Sequence, residues 1–131
     1  MNYEEALNAL EPLKKNKKVA AVYIFGSYLK SKKKARDIDI CIISRDLTLN
    51  QMAKISQNFE KPIDLSFIER MPDYISIRVL KYGKPIFVNN SHLLSQIWLS
   101  VVRNYLRYQP MRLRIYSGVR KWMSSTKLQT V

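Results

Sequence analysis

Two stretches decide the fold: Val19-Ala20-Ala21-Val22-Tyr23-Ile24-Phe25-Gly26-Ser27 and Asp37-Ile38-Asp39-Ile40-Cys41-Ile42-Ile43-Ser44. Each is dense in β-branched and aromatic residues, which favour strands. Gly26-Ser27 breaks the first run. The second alternates Asp, Ile, Asp, Ile at its start, so Asp37 and Asp39 project from the same side of a strand. Two carboxylates side by side repel and raise each other's pKa unless a cation sits between them. An oxygen-only donor set suits a hard divalent ion such as Mg²⁺ or Mn²⁺.

A third carboxylate follows in Pro62-Ile63-Asp64-Leu65-Ser66-Phe67-Ile68. There Ile63, Leu65 and Phe67 share one face, and Asp64 shares the other with Ser66. Paired beside the Asp37–Asp39 strand, it would bring three carboxylates to one sheet face. Such a cluster can hold two metal ions about 4 Å apart. Gly26 allows a close backbone approach, and the Ser27 hydroxyl can donate to a phosphate oxygen. Helix capping is the plainer role for Ser27.

Working outward, Leu7, Leu10 and Leu13 predict a helix over 3–15 that Pro12 bends or ends. Thr48 can cap a helix over 49–60 with Leu49, Met52, Ile55 and Phe59 on its apolar side. Pro72 and Gly83 bracket a helix over 73–82. Residues 85–88 form a short strand. Residues 91–124 read as helical, and Pro110 is expected to split them into two helices. The fold class is α/β (α+β): a small mixed β-sheet with helices packed on it and the Asp face open to solvent. Residues 1–90 form the core and 91–131 a helical extension packed on it.

Composition narrows the function classes. The 131 residues carry 23 Lys+Arg against 10 Asp+Glu, a formal charge of +13, with 47% hydrophobic residues. That suits one core and an anionic partner: nucleic acid, nucleotide or an acidic protein. One cysteine, Cys41, excludes a disulfide framework and reads as a core residue. One histidine, His92, disfavours His-based metal or triad chemistry. No apolar run nears the roughly 20 residues of a membrane span, and the acidic start is unlike a signal peptide, so a cytoplasmic setting is expected. The scarce acids make the strand-borne Asp37, Asp39 and Asp64 stand out. Nine Lys/Arg and no acid occupy 14–36, and ten Lys/Arg follow the last acid, Asp73.

Gly26-Ser27, nine residues, Asp37-Ile38-Asp39, then a third strand Asp resembles the DNA polymerase β-like nucleotidyltransferase superfamily. The size and the Phe-Gly-Ser-Tyr turn look like its minimal nucleotidyltransferases, over about residues 3–88. The resemblance implies Mg²⁺-dependent transfer of an NMP, AMP from ATP above all, to an acceptor hydroxyl, with two Mg²⁺. It implies that Asp37 and Asp39 bind both ions. Asp64 would hold the catalytic one and help activate the acceptor, and Gly26 and Ser27 would hold the triphosphate. Lys30 stands where the family often has Arg, and Arg36 where it usually has Ser or Thr. Lysine neutralises phosphate without the guanidinium fork, and Arg36 could pair with a carboxylate or nucleotide. Many stand-alone members are antitoxins of HEPN-domain toxins, some of which they adenylylate on tyrosine. A non-catalytic antitoxin or a nucleic-acid-binding module on the same fold is the alternative. A homo-oligomer is compatible with either.

Overall fold

The computed structural model describes residues 1–31 and 36–130, with side chains as far as 125. The elements run α1 (Tyr3–Leu10), β1 (Val19–Phe25), α2 (Ser27–Lys30), β2 (Ile38–Ser44), α3 (Leu49–Ser56), β3 (Ile63–Phe67), α4 (Asp73–Tyr82), β4 (Lys84–Val88) and α5 (Ser91–Thr130). A 3₁₀ turn at Glu11–Lys15 carries Pro12 where α1 ends. The four strands form one mixed sheet in the order β3-β2-β1-β4. β1 is antiparallel to β2 and β4, whereas β2 and β3 are parallel.

The period-2 geometry of β1 and β2 feeds two cores. Val22, Ile24, Ile40 and Ile42 face α1 and α3, meeting Ala6, Leu10 and Met52. Ala21, Tyr23, Cys41 and Ile43 face the other way, onto Val79 and Leu80 of α4 and Ile97 of α5. Both faces of β2 are thus covered, which is why it reads as an almost unbroken apolar run. The Asp face, expected from the sequence to be open to solvent, is consequently not open along its length. Helices α4 and α5 cover it, and only the end bearing the carboxylates is left to solvent.

Local signals account for most element ends. Asn2 caps α1 by accepting from the Glu5 N–H at 2.8 Å. Thr48 and Gln51 form a reciprocal capping box on α3. The expected helix over 49–60 is shorter, and Leu49 points to solvent at 65% exposure, whereas Met52 is buried. Helix α4 spans 73–82 between Pro72 and Gly83 as the sequence predicts. The expected break at Pro110 does not occur, and α5 runs through it. Proline deletes one N–H and crowds one carbonyl, here that of Leu106. Leu106 is exposed, so its freed carbonyl need not be buried. The neighbouring Tyr105 carbonyl accepts from Arg112 Nη2 instead. Arg112 Nη1 also holds Asp73 Oδ2 at 2.8 Å, tying α5 to the start of α4.

The two halves of α5 differ. Ile97 is buried and Leu94, Trp98 and Val101 pack on the second core, whereas Ile115 and Val119 are exposed. Ile42→Ala is expected to cost about 2–5 kcal/mol by cavity formation, and Ile115→Ala less than about 0.5 kcal/mol, in chemical denaturation.

Candidate functional site: a carboxylate pair against a glycine turn

Parallel pairing of β2 with β3 places Asp39 directly beside Asp64. The register is secured next to the pair, where the Ile38 N–H donates to the Pro62 carbonyl at 2.9 Å. Asp39 is half-buried and Asp64 exposed. Asp37 is also exposed, and it precedes β2 rather than lying in it, since the strand begins at Ile38. Burial, then the charges of Asp64 and Asp37, then a hydrogen bond with Asp64 push the Asp39 carboxyl above its ordinary value. The three acids therefore sense one another. Among the described residues, no group of three or more His, Cys, Asp or Glu is already arranged to hold a metal ion. The apposed pair, with Asp37 adjoining it, has the donor chemistry for a hard cation: oxygen atoms alone, and mutual repulsion that a positive charge would relieve.

The opposing wall is the turn after β1. Phe25 pairs with Asp39 across the sheet, so Gly26 lies beside that carboxylate. Gly26 has φ 82° and ψ −155°, a combination open essentially to glycine. A Cβ there would also collide with Asp39 Oδ2. Ser27 opens α2, and its carbonyl accepts from the Ser31 N–H at 3.0 Å. Ser27 is exposed, so its hydroxyl is open to a ligand. Tyr28 and Leu29 anchor α2 on the first core, with the Tyr28 ring 5.6 Å from that of Tyr3.

Beyond Gly26 lies a cavity of about 710 Å³. Lys30 lines it, as the sequence analysis allows. So do Phe25 and, from α4, Ile75, Arg78 and Tyr82. Sequence reasoning missed the α4 residues. Their i, i+3, i+7 spacing marks one helix face, but only the packing of α4 on the sheet turns that face toward Gly26. Arg36 is exposed, ahead of Asp37. Lys32, Lys33 and Lys34 lie outside the described residues. Cys41 is buried, with its thiol pushed up to about 12 by burial. It is a core residue, as read. His92 is exposed on α5, 3.2 Å from Gln96. No described helix is long and apolar enough to cross a membrane.

Gly26→Ala forces both a strained backbone and a clash, so a loss of about 1–3 kcal/mol is expected in denaturation. Because the folded chain holds a proton on Asp39 that the unfolded chain has released, stability falls as pH rises through that interval. Asp39→Asn removes this penalty. It is expected to melt above the parent at pH 7, with the gain shrinking as pH drops below the carboxylate range.

Known proteins share this architecture. The family described as polymerase beta, nucleotidyltransferase matches residues 8–92. A putative protein adenylyltransferase of Methanocaldococcus jannaschii is 33% identical over 73 residues, which cover 53% of this chain and 57% of that protein. The match thus spans less than two thirds of that relative. Among solved structures, a chain of a toxin–antitoxin with AMP-PNP superposes with TM-score 0.67 at 20% identity, covering 92% of this chain and 99% of that one. A chain from the complex of tri-AMPylated Shewanella oneidensis HEPN toxin with MNT antitoxin gives TM-score 0.61 at 21% identity, covering 88% and 98%. A chain of the toxin–antitoxin MntA–HepT gives 0.63 at 18% identity, covering 89% and 95%. At these identities the structures attest the common fold. With its Gly-Ser turn, its strand-borne carboxylates and a family match over most of its length, the chain belongs to the polymerase β nucleotidyltransferase family.

Proposed function

We propose that this chain is a Mg²⁺-dependent nucleotidyltransferase that moves AMP from ATP to a hydroxyl of a HEPN-type toxin, acting as its antitoxin in the cytoplasm. The observation that carries this reading is the Gly26 turn closed against Asp39 while Asp39 faces Asp64. A phosphate-accessible backbone and a carboxylate pair thus meet at one open sheet end.

Each residue has a role in that reading. Gly26 lets the triphosphate approach the chain, and the Ser27 hydroxyl donates to a phosphate oxygen. Lys30 and Arg78 flank the cavity with positive charge, while Phe25, Ile75 and Tyr82 offer apolar surface for a nucleoside. Asp37, Asp39 and Asp64 are the residues that would hold Mg²⁺, which when bound neutralises phosphate charge and polarises the oxygens of the reacting group. Arg36 stands near enough in sequence to pair with a carboxylate or the nucleotide. Asp64, the most exposed end of the pair, orients the acceptor hydroxyl and takes its proton. The acceptor oxygen bonds to the α-phosphorus, the bond from the α-phosphorus to the α,β-bridging oxygen breaks, and pyrophosphate leaves carrying that oxygen and the electron pair. The M. jannaschii adenylyltransferase and the AMPylated toxin complex support the choice of AMP and of a protein acceptor.

The test is transfer of α-labelled ATP to a HEPN-domain partner in the presence of Mg²⁺. Asp39→Asn and Asp64→Asn are each expected to reduce labelling about 100-fold or more. Arg78→Ala is expected to raise KM for ATP more than it lowers kcat. Mg²⁺ is expected to raise the melting temperature of the parent and not of Asp39→Asn. Tight partner binding with no label on any acceptor would overturn transfer and leave a non-catalytic antitoxin.

A further inference from the structure

At the end of the sheet opposite the carboxylates lies a second cleft, of about 280 Å³. It is lined by Lys14, Lys15, Asn16, Lys17, Asn89 and Asn90, with Val19 at its base. Strand β1 spans seven residues between Val19 and Phe25, so about 20 Å of strand separates this cleft from Gly26. The cleft shares no residue with the transfer site. Its frame is fixed by backbone bonds. Asn89 Nδ2 donates to the Leu13 carbonyl at 2.9 Å and to the Val19 carbonyl at 3.3 Å. The Asn16 N–H donates to the Leu13 carbonyl and the Val19 N–H to the Asn16 carbonyl, both at 3.1 Å. The turn carrying the lysines is thereby pinned to the end of β4. Lys14 is held by Glu11 at 2.9 Å and lies 5.4 Å from the Phe87 ring centre. Lys15 and Lys17 are exposed, and among the described residues neither has an ion-pair partner.

We infer that this cleft binds the phosphate backbone of a nucleic acid. Lysine ammonium groups and asparagine amides are the donors of phosphate contact, and no acid lines the cleft. Asn16 and Asn90 each spend the side-chain carbonyl on a backbone N–H, of Lys18 and Leu93, both at 3.0 Å. Each keeps its amide N–H groups to donate. Lys18 and Arg45 extend the positive surface, for their side chains bond only to the neutral Gln51 and Gln96. Of the acids nearby, Glu11 is paired with Lys14, Asp46 is exposed, and Glu69 accepts from the Ser44 hydroxyl and the N–H groups of Asp46 and Leu47. The cations thus outnumber them. A protein partner or a membrane asks for accessible apolar surface at the centre of the contact. Val19 is buried, so the cleft offers none. A single small anion asks for donors closed around it, whereas the exposed Lys15 and Lys17 are free to follow a chain of phosphates. A nucleic-acid backbone meets both conditions.

The experiment is fluorescence anisotropy of the full chain with labelled single-stranded RNA and duplex DNA of mixed sequence. Binding is expected, and to fall steeply with salt. Lys15→Gln/Lys17→Gln is expected to weaken it about 10-fold at low salt and to reduce the slope of log affinity against log salt by about 2, with an unchanged melting temperature. Lys15→Arg/Lys17→Arg, which keeps both charges, is expected to restore it. Two charges removed elsewhere are expected to matter far less, whether in Arg107→Gln/Arg114→Gln on α5 or in Lys30→Gln/Arg78→Gln at the transfer site. An equal loss in either of those pairs, no loss in the lysine pair, or no binding at low salt overturns the inference. Displacement of the RNA by polyglutamate as strongly as by unlabelled RNA overturns it in favour of an acidic protein. Equal displacement by vesicles of anionic lipid overturns it in favour of a membrane. Displacement by inorganic phosphate at matched ionic strength overturns it in favour of a small anion.

Discussion

The repulsion between Asp39 and Asp64 is the constraint on which the site depends. Two carboxylates would separate if their backbones allowed it. They are held together because each strand is fixed by apolar neighbours on both sides: Ile38 and Ile40 on β2, Ile63 and Leu65 on β3. Register is costly to change, since a one-residue slip would turn those side chains to the wrong face. The hydrophobic layers therefore keep a charge arrangement that is unfavourable in itself. The rise in the Asp39 pKa is the visible trace of that opposition. A site poised this way gains most from a ligand bringing positive charge.

Much of this was legible in the chain. The strand runs of β1 and β2 declare themselves by composition, and α4 by Pro72 and Gly83. Gly26, Ser27, Asp37, Asp39 and Asp64 stand out because polar residues interrupt apolar runs. What escaped was set by distant packing. Nothing local tells that β3 lies parallel to β2 in the register that faces Asp39 with Asp64. Nothing local turns Arg78 and Tyr82 toward Gly26. Leu49 looked apolar and buried, but a residue in the first turn of α3 lies at the edge of what the helix covers. Pro110 misled because a rule for helix interiors loses force where the freed carbonyl is exposed and a nearby guanidinium engages the same turn.

The charge of +13 also takes on a distribution. Cations line the cavity beside Gly26, through Lys30 and Arg78, and again follow the free half of α5. Three of the ten acids, Asp37, Asp39 and Asp64, gather at the sheet end. Part of the excess thus flanks a small pocket suited to phosphate, and part follows α5, an elongated helix without acids. Net charge alone could not reveal these two groupings; the placement of the cations on α2, α4 and α5 does.

The Arg112–Asp73 pair joins these two regions mechanically. Asp73 opens α4, and Arg78 stands little more than one turn farther along the same helix. A rigid helix transmits a tilt at one end to its other end. Any free energy by which a filled cavity prefers one setting of α4 is therefore shared with the setting of α5. Such sharing is symmetric between the two ends. One half-buried guanidinium, two residues past the proline of the helix that carries it, gives the fold a lever arm between its pocket and its outermost surface.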